Sequence, residues 1–361
     1  MKRWRHVFFI FLVCILCLFG CARTRIIDKL SIIHVFGFDL ADNGDLVGTA
    51  LFPEYTKSKS DDQIQYIAEQ APTGVLFVPR MSEQTSTPVE IAKIRVLLFG
   101  KDYAEAGIKD MVNRFILNPQ LGTNIQIAAS THSARETLST FKNEKSLTLA
   151  DRIQQNIQGQ TLPRLNLHIF LNNFYGEGGD AYVPMLTIDE NNKVKVDGIG
   201  VFKDDKLKLH LNEKQTALFS YIKDRRSQAT YKISLKDNDR AEIITVRNFR
   251  SKSNWDWNHN KEQLSLRLQL QMTLTQFPDR FNAEKAGDVM EIKKLIVENL
   301  KREMEDLLTT FQENEVDPLG IGNIVRSKDK TWKVESFYKK YPSIPINLDV
   351  NVKIIHSGLG S

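Results

Sequence analysis

Two segments of the chain alternate strictly between apolar and polar residues, the pattern of a strand with one buried face and one wet face. From Leu264 to Leu274 every even position is apolar, and the odd positions carry Ser, Arg, Gln and Thr. From Ile344 to Ile354 the even positions are again apolar, and the odd ones are Pro, Asn, Asp and Lys. Both segments predict strands of sheets that face water on one side.

Other segments repeat apolar residues at three- and four-residue spacing, which predicts amphipathic helices. The longest of these runs to Phe311 and starts behind Asp288, which we interpret as its N-cap. Pro163 suits the first position of a second helix, and Asn212 suits the N-cap of a third. Shorter helices are predicted at 103–117, 133–141, 147–157, 163–174 and 213–223.

Turn residues divide the remaining apolar runs into short strands. Asn43-Gly44 stands between the apolar runs 30–40 and 45–52, which is a strong signal for a hairpin. The glycine-rich segment 175–180 predicts a flexible turn. Further strands are predicted at 94–99, 125–129, 181–188, 193–202 and 206–211. Strands of alternating polarity with interspersed helices predict an α+β fold on mainly antiparallel sheets.

The length of 361 residues suggests two or three domains at roughly 150 residues each. We predict a signal peptide at 1–20 and three mixed domains at 21–145, 146–226 and 227–361. Each domain is expected to hold a central, mainly antiparallel sheet flanked by helices. The sequence shows no internal repeat and no low-complexity linker.

The N-terminus carries the pattern of an export signal. Three cations lie within residues 1–5, and residues 7–19 form an apolar run of about 13 residues, the length of a signal-peptide core and too short for an ordinary membrane span. The tetrapeptide Leu18-Phe19-Gly20-Cys21 that follows resembles a bacterial lipobox. The Cys21 thiol would receive diacylglycerol through a thioether, and the small Gly20 would let the signal peptidase reach the scissile bond. The alternative is an uncleaved N-terminal membrane helix in which Cys21 is incidental.

Cysteine and charge counts exclude several classes of protein. The three cysteines all lie within residues 14–21, so the rest of the sequence has no disulfide and no cysteine metal site. The chain has 49 basic and 44 acidic residues, and 46 basic residues remain without Lys2, Arg3 and Arg5. A nearly balanced charge lacks the basic excess of a nucleic-acid binder. The basic cluster 223–226 is interpreted as a solvated helix face.

The sequence contains no recognisable catalytic or metal-binding motif. The seven histidines are scattered without HExxH, and the GxSxG, Walker A and GxGxxG motifs are absent, so we predict neither an enzyme nor a metal site. The acidic pairs at 61–62, 204–205 and 237–239 are interpreted as turns. The pair Trp255 and Trp257 has two interpretations: an exposed interaction surface, since aromatic residues are enriched at binding hot spots, or a hairpin that packs onto a sheet.

Several short segments, taken in order, resemble the Ger(x)C family, the lipoprotein C subunits of nutrient germinant receptors of spore-forming bacteria. No segment is specific alone, but their order behind a lipobox carries the resemblance. The sequence departs from the family pattern at 85–92 and at 208–210. The matching segments are 25–30, 37–39, 104–108 with Met111 and Arg114, 198–207, 317–322 with Trp332, and the last strand to Ile355 with Gly358.

The resemblance implies three α+β domains, no enzymatic activity and no cofactor beyond the covalent diacylglycerol and an N-acyl chain on Cys21. It implies the multi-spanning A and B subunits as partners, a place on the outer face of the spore inner membrane, and a role as scaffold or coupling element in nutrient-triggered germination. A solute-binding lipoprotein of an uptake system is the main alternative; it predicts two similar doubly wound lobes around a ligand cleft. A lipid-anchored hydrolase is a more distant one, for which the sequence offers no nucleophile–base pair.

Overall fold

The computed structural model describes residue 4 and residues 30–54, 63–116, 122, 124–144, 147–237 and 240–355. Most of the strands begin where apolar runs follow turn residues, as the sequence pattern predicts. Their bounds are β1 Ser31–Ile32, β2 Val35–Leu40, β3 Leu46–Glu54, β4 Gln63–Ala71, β5 Val89–Glu90, β6 Val96–Phe99, β7 Gln126–Ser130, β8 Tyr182–Ile188, β9 Val194–Lys203, β10 Lys206–Leu211, β11 Thr230–Asp237, β12 Arg240–Asn258, β13 Gln263–Gln276 and β14 Ile346–Ile355.

Most helices are short, and one is long. Nine of those described span eleven residues or fewer, whereas the tenth has 28 residues, so most helical stability must come from packing. Their bounds are α1 Phe77–Ser82, α2 Lys101–Ala106, α3 Lys109–Ile116, α4 Ala134–Ser139, α5 Leu149–Gln158, α6 Leu167–Tyr175, α7 Glu213–Lys223, α8 Ala286–Glu313, α9 Ile321–Arg326 and α10 Val334–Lys340.

The larger sheet has eight strands in the order β10-β9-β8-β7-β6-β2-β3-β4. The three central pairings, β8–β7, β7–β6 and β6–β2, are parallel, and the four outer pairings are antiparallel. All four residues of β6 are buried, as expected for a strand covered on both faces. Its alternate residues face two separate cores: Leu97 and Phe99 face one, and Val96 and Leu98 face the other.

The second sheet has four strands in the order β11-β12-β13-β14, antiparallel except for the parallel pair β13–β14. The even positions of β13 from Leu264 to Leu274 are buried, and β14 shows the same alternation at its centre, as predicted. Residues of the long helix α8, among them Ile292, Ile296 and Met304, share the same core. The opposite face of this sheet carries polar side chains.

The helix α7 joins the two sheets. Asn212 forms its predicted N-cap, as a capping box with Gln215. Seven of its eleven residues are buried, and Leu218, Phe219 and Tyr221 lie in a core shared by β8, β9 and the four-stranded sheet. The two sheets are therefore connected through one continuous apolar core.

Three helix predictions differ from the structure. The predicted helix at 103–117 is two helices, because Gly107 adopts a φ of 135° that ends α2. Pro163 does not begin a helix; α6 begins at Leu167, and Asn166 accepts a hydrogen bond from the Ile169 amide as its N-cap.

The third difference concerns the start of α8. Lys285 occupies the N-cap position, and Asp288 lies in the first turn. The Asp288 carboxylate accepts a hydrogen bond from the Asn282 amide at 2.7 Å, so it organises the preceding loop while complementing the helix dipole.

The fold is mixed α+β with mainly antiparallel sheets flanked by helices, as predicted. The strands on both sides of residue 145 lie in one eight-stranded sheet, so the predicted first and middle domains share their central sheet. The boundaries at 21, 146 and 227 stay predictions.

Candidate functional site

The predicted lipidation site lies outside the residues that the structure describes, together with Leu18, Phe19 and Gly20 before Cys21. Its lipidation therefore stays a prediction. Within the described ranges, no helix is both long enough and apolar enough to cross a bilayer.

Trp255 and Trp257 both lie on β12, on the face that is turned toward the core. Both side chains are half-buried and pack against the apolar core, whereas Asp256 between them is exposed and pairs with Lys328. The Trp257 indole N–H is enclosed and has no hydrogen-bond partner among the described residues. This placement favours packing onto a sheet over an exposed aromatic patch.

The family-like segments at 104–108 and 198–207 contact each other. The Asp205 carbonyl accepts a hydrogen bond from the Ile108 amide at 2.9 Å, and its carboxylate accepts one from the Lys109 amide at 3.3 Å. A Cβ at Gly107 would lie 2.7 Å from the Asp205 carboxylate. The glycine thus permits both the φ of the helix break and the close approach of the β9–β10 turn.

Asp39, from the segment 37–39, holds the start of α4. Its two carboxylate oxygens accept hydrogen bonds from the amides of Ala134 and Arg135 at 2.6 and 2.7 Å. A Cβ on Gly100 would lie 1.8 Å from the same carboxylate, so only glycine fits there. Burial raises the pKa of Asp39, and the two N–H donors offset part of this increase.

Asp317, from the segment 317–322, is fully buried at the start of α9. One carboxylate oxygen accepts from the Ile321 amide at 2.7 Å, and the other accepts from the Gly322 amide at 2.8 Å and the Tyr338 hydroxyl at 3.1 Å. Burial, and in addition the nearby Asp180, raise the pKa of Asp317 to about 7, although these donors act in the opposite direction.

Asp180 connects this cluster to the eight-stranded sheet. Its carboxylate accepts hydrogen bonds from the Asp317 amide at 2.6 Å and from Lys203 Nζ at 3.3 Å, and its own amide donates to the Asp317 carbonyl at 2.8 Å. Lys203 Nζ also lies 4.5 Å from the centroid of the Tyr338 ring. We call Asp180, Lys203, Asp317, Tyr338 and the half-buried Lys223 the junction cluster.

Lys223 completes the junction cluster from the end of α7. Its Nζ donates to the carbonyls of Pro318 and Leu319 at 3.1 and 2.9 Å, and burial lowers its pKa. The interpretation of residues 223–226 as a solvated helix face is therefore wrong for Lys223. Only Arg225 and Arg226 are exposed, and they follow the helix.

The glycine-rich turn also belongs to this junction. The Gly178 carbonyl accepts from the Asn323 amide at 2.8 Å, and Gly178 has a φ of 86°. Gly179 approaches the Cα of Gly320 so closely that a Cβ there would lie 3.2 Å from it. The predicted turn exists, and these contacts hold it against α9.

The contacts of the junction cluster indicate a structural role. Its carboxylates are engaged by amides, a hydroxyl and an ammonium group. No group of three or more His, Cys, Asp or Glu side chains suited to a metal ion occurs in the part of the chain that the structure describes. Sequence reasoning included Asp317 and Lys203 in family-like segments and Asp180 in the glycine-rich turn, but it did not bring them together, and it missed Tyr338.

The two sheets differ in size and strand order, unlike the two similar lobes expected of a solute-binding lipoprotein. The fold and the junction cluster define an α+β protein with two large sheets and a small two-stranded sheet of β1 and β5, whose family-like segments build its internal contacts. A family model described as "Spore germination protein N-terminal domain" matches residues 23–188, and one described as "Spore germination B3/ GerAC like, C-terminal" matches residues 197–358. The chain belongs to the Ger(x)C family of spore germination proteins, the C subunits of germinant receptors.

Two known proteins resemble the chain over most of its length. "Spore germination protein GerQC" of Bacillus cereus is 24% identical over 364 residues, which cover 99% of each chain. The structure described as "Crystal Structure of the GerBC protein" is similar with a TM-score of 0.58 and 16% identity, covering 89% of this chain and 96% of that one. The second likeness concerns the fold alone.

Proposed function

We propose that this protein is a lipid-anchored, non-enzymatic C subunit of a nutrient germinant receptor, which acts as a scaffold or coupling element. The observation that carries the proposal is the match of both family models, which together extend over residues 23–188 and 197–358. The junction cluster supports it, because its hydrogen bonds and the ion pair of Asp180 with Lys203 would hold the two large sheets in a fixed relative position.

The proposed anchor is Cys21, carrying diacylglycerol and an N-acyl chain. Two or more acyl chains exceed the marginal membrane binding that one chain provides. The anchor also confines the protein to the membrane surface. Its effective concentration near membrane partners therefore rises without any new contact surface. The proposed partners are the membrane-spanning A and B subunits on the outer face of the spore inner membrane.

The anchor is tested by replacing Cys21 with Ala in spores and following the protein by immunoblot of membrane and soluble fractions. We expect the native chain in the spore inner membrane, and the Cys21→Ala chain lost from it, with nutrient-triggered germination impaired. Cys17→Ala is the matched control, because Cys17 lies inside the predicted signal peptide and should change neither result. Membrane retention and full germination of Cys21→Ala would contradict the proposal.

The role is tested by copurification with the A and B subunits from spore membranes. We expect both subunits to copurify with the native chain. Isothermal titration of the chain with a panel of nutrients separates this role from solute binding. A tight nutrient complex without copurifying subunits would favour the uptake alternative.

A further inference from the structure

A basic groove lies where the loop after α7 meets strand β12 of the four-stranded sheet. It encloses about 820 Å³, and no part of it overlaps the half-buried pair Trp255 and Trp257. We call it the basic groove. Its walls include Arg225 and Arg226 from the loop, Arg250, Lys252 and Asn254 from β12, and Gln269 and Gln271 from β13.

The four exposed cations of the basic groove are not neutralised. Arg225, Arg226, Arg250 and Lys252 are all exposed, and none forms an ion pair with any residue that the structure describes. The one carboxylate in the lining is Asp224, and it accepts a hydrogen bond from the Arg164 amide at 2.9 Å. The groove therefore presents an excess of positive charge, which attracts anions.

The loop that carries Arg225 and Arg226 is fixed to the sheet. The Ser251 amide donates to the Arg225 carbonyl at 3.0 Å, and the Ser253 hydroxyl donates to the Ile222 carbonyl at 2.5 Å. Because these bonds join the loop to β12, the loop cations are held beside the strand cations. A pre-organised site loses less entropy on binding than a mobile one.

The cations of β12 repeat with the period of an extended chain. Arg250, Lys252 and Asn254 are exposed at alternate positions, so they stand on one face at intervals of roughly 7 Å. Gln271 and Gln269 lie directly across from Arg250 and Lys252 on β13. An extended peptide has the same spacing between its alternate side chains.

We propose that the basic groove binds an extended acidic segment of a partner protein, with carboxylates at alternate positions. Its concave shape suits a single chain better than a flat bilayer surface, and its amide side chains can bond to a peptide backbone. This binding does not depend on the proposed function, because it can be measured without spores.

The test measures binding of a fluorescein-labelled peptide of alternating glutamate and threonine to the full-length chain in neutral detergent micelles. We expect fluorescence anisotropy to rise on binding, and the affinity to fall with added salt. Replacing Arg225, Arg226, Arg250 and Lys252 together by Glu should weaken binding at least about tenfold. All four side chains are exposed, and circular dichroism checks that the variant is folded.

The matched control replaces four exposed cations outside the groove by Glu, namely Lys293, Lys330, Lys333 and Lys339, so the net charge changes by the same amount. It should bind the peptide within about twofold of the native chain, because distant exposed charges are screened. A glutamine–threonine peptide should not bind. Equal losses in the groove variant and the control, or no peptide binding by the native chain, would overturn the proposal.

A second arm compares the native chain and the groove variant on phosphatidylcholine vesicles with and without phosphatidylglycerol. The N-terminal anchor is the same in both chains, so any difference reports the groove. We expect equal retention of both. Retention that depends on the groove cations, without peptide binding, would assign the groove to anionic lipid and overturn the proposal.

Discussion

The carboxylate of Asp317 lies in an environment that opposes its charge. It has no exposed surface, and Asp180 lies close enough to raise its pKa further. Two backbone amides and the Tyr338 hydroxyl donate to it, which offsets part of the cost of burial. With a pKa of about 7, Asp317 changes its charge near neutral pH.

The raised pKa makes the stability of the fold depend on pH. The folded chain holds the Asp317 proton more tightly than the unfolded chain, where the ordinary value is 3.8. The resulting stabilisation is complete below pH 3.8 and is lost as the pH rises toward 7. Asn stays neutral at every pH. The Asp317→Asn variant should therefore lose a pH dependence of the free energy of unfolding of up to about 1.4 kcal/mol per pH unit between the two pKa values.

Denaturant unfolding of the native chain and Asp317→Asn across this window measures the slope. The variant is also expected to be less stable overall, because its amide group meets N–H donors with one acceptor oxygen instead of two. Asp306→Asn is the control, since Asp306 is exposed on α8 and should leave the slope unchanged. The same pH dependence of the free energy of unfolding in the native chain and in Asp317→Asn would contradict the raised pKa of Asp317.

At the scale of elements, the break between α2 and α3 shows how one residue divides a helical pattern. The apolar spacing of 103–117 continues across Gly107, yet the backbone there has a φ of 135°. Asp205 fills the space that a side chain at this position would need, and it caps the start of α3. The break serves a contact between two family-like segments.

Gly107→Ala should therefore destabilise the chain by roughly 1–3 kcal/mol, through both backbone strain and the clash with Asp205. Gly287→Ala is the matched control. Gly287 lies in the first turn of α8 with open space around it, so alanine there should be neutral or stabilise by up to about 1 kcal/mol. Thermal unfolding by circular dichroism compares the two variants; equal changes in stability would rule out a special role for Gly107.

The sequence pattern predicts where a strand or helix lies better than it predicts which other elements pair with it or pack against it. Strict alternation located β13 and β14, because a half-buried strand leaves that signature locally. It did not show that the two strands pair in parallel, since alternation is the same for either direction. The helix break at Gly107 was missed for a related reason: the contact that requires it comes from Asp205, about a hundred residues later.

At the scale of the whole molecule, the junction cluster joins two sheets that the sequence presents separately. Lys203 ends β9 of the eight-stranded sheet and Asp180 lies in the turn just before β8, whereas Asp317 and Tyr338 come from the region after α8. The burial of Lys223 depends on carbonyls 95 and 96 residues away, so a local charge pattern could not reveal it. The family-like segments at 198–207 and 317–322 contain Lys203 and Asp317, but nothing in the sequence pattern showed that these residues meet.

This junction predicts that the two sheets unfold together in the native chain and separately when it is weakened. Three of the four tryptophans, Trp255, Trp257 and Trp332, lie in the C-terminal part, and the fourth, Trp4, lies in the predicted signal peptide. In a chain that begins at Cys21, tryptophan fluorescence therefore reports the four-stranded sheet and its helices, whereas far-UV circular dichroism reports the whole chain. The two thermal transitions should coincide in the native chain. In a chain with Asp180→Ala and Lys223→Met they should diverge, because the hydrogen bonds of these two side chains across the junction are lost while the apolar side chains of the cores are unchanged. Coincident transitions in this variant would show that the shared apolar core around α7 couples the sheets without the buried charges.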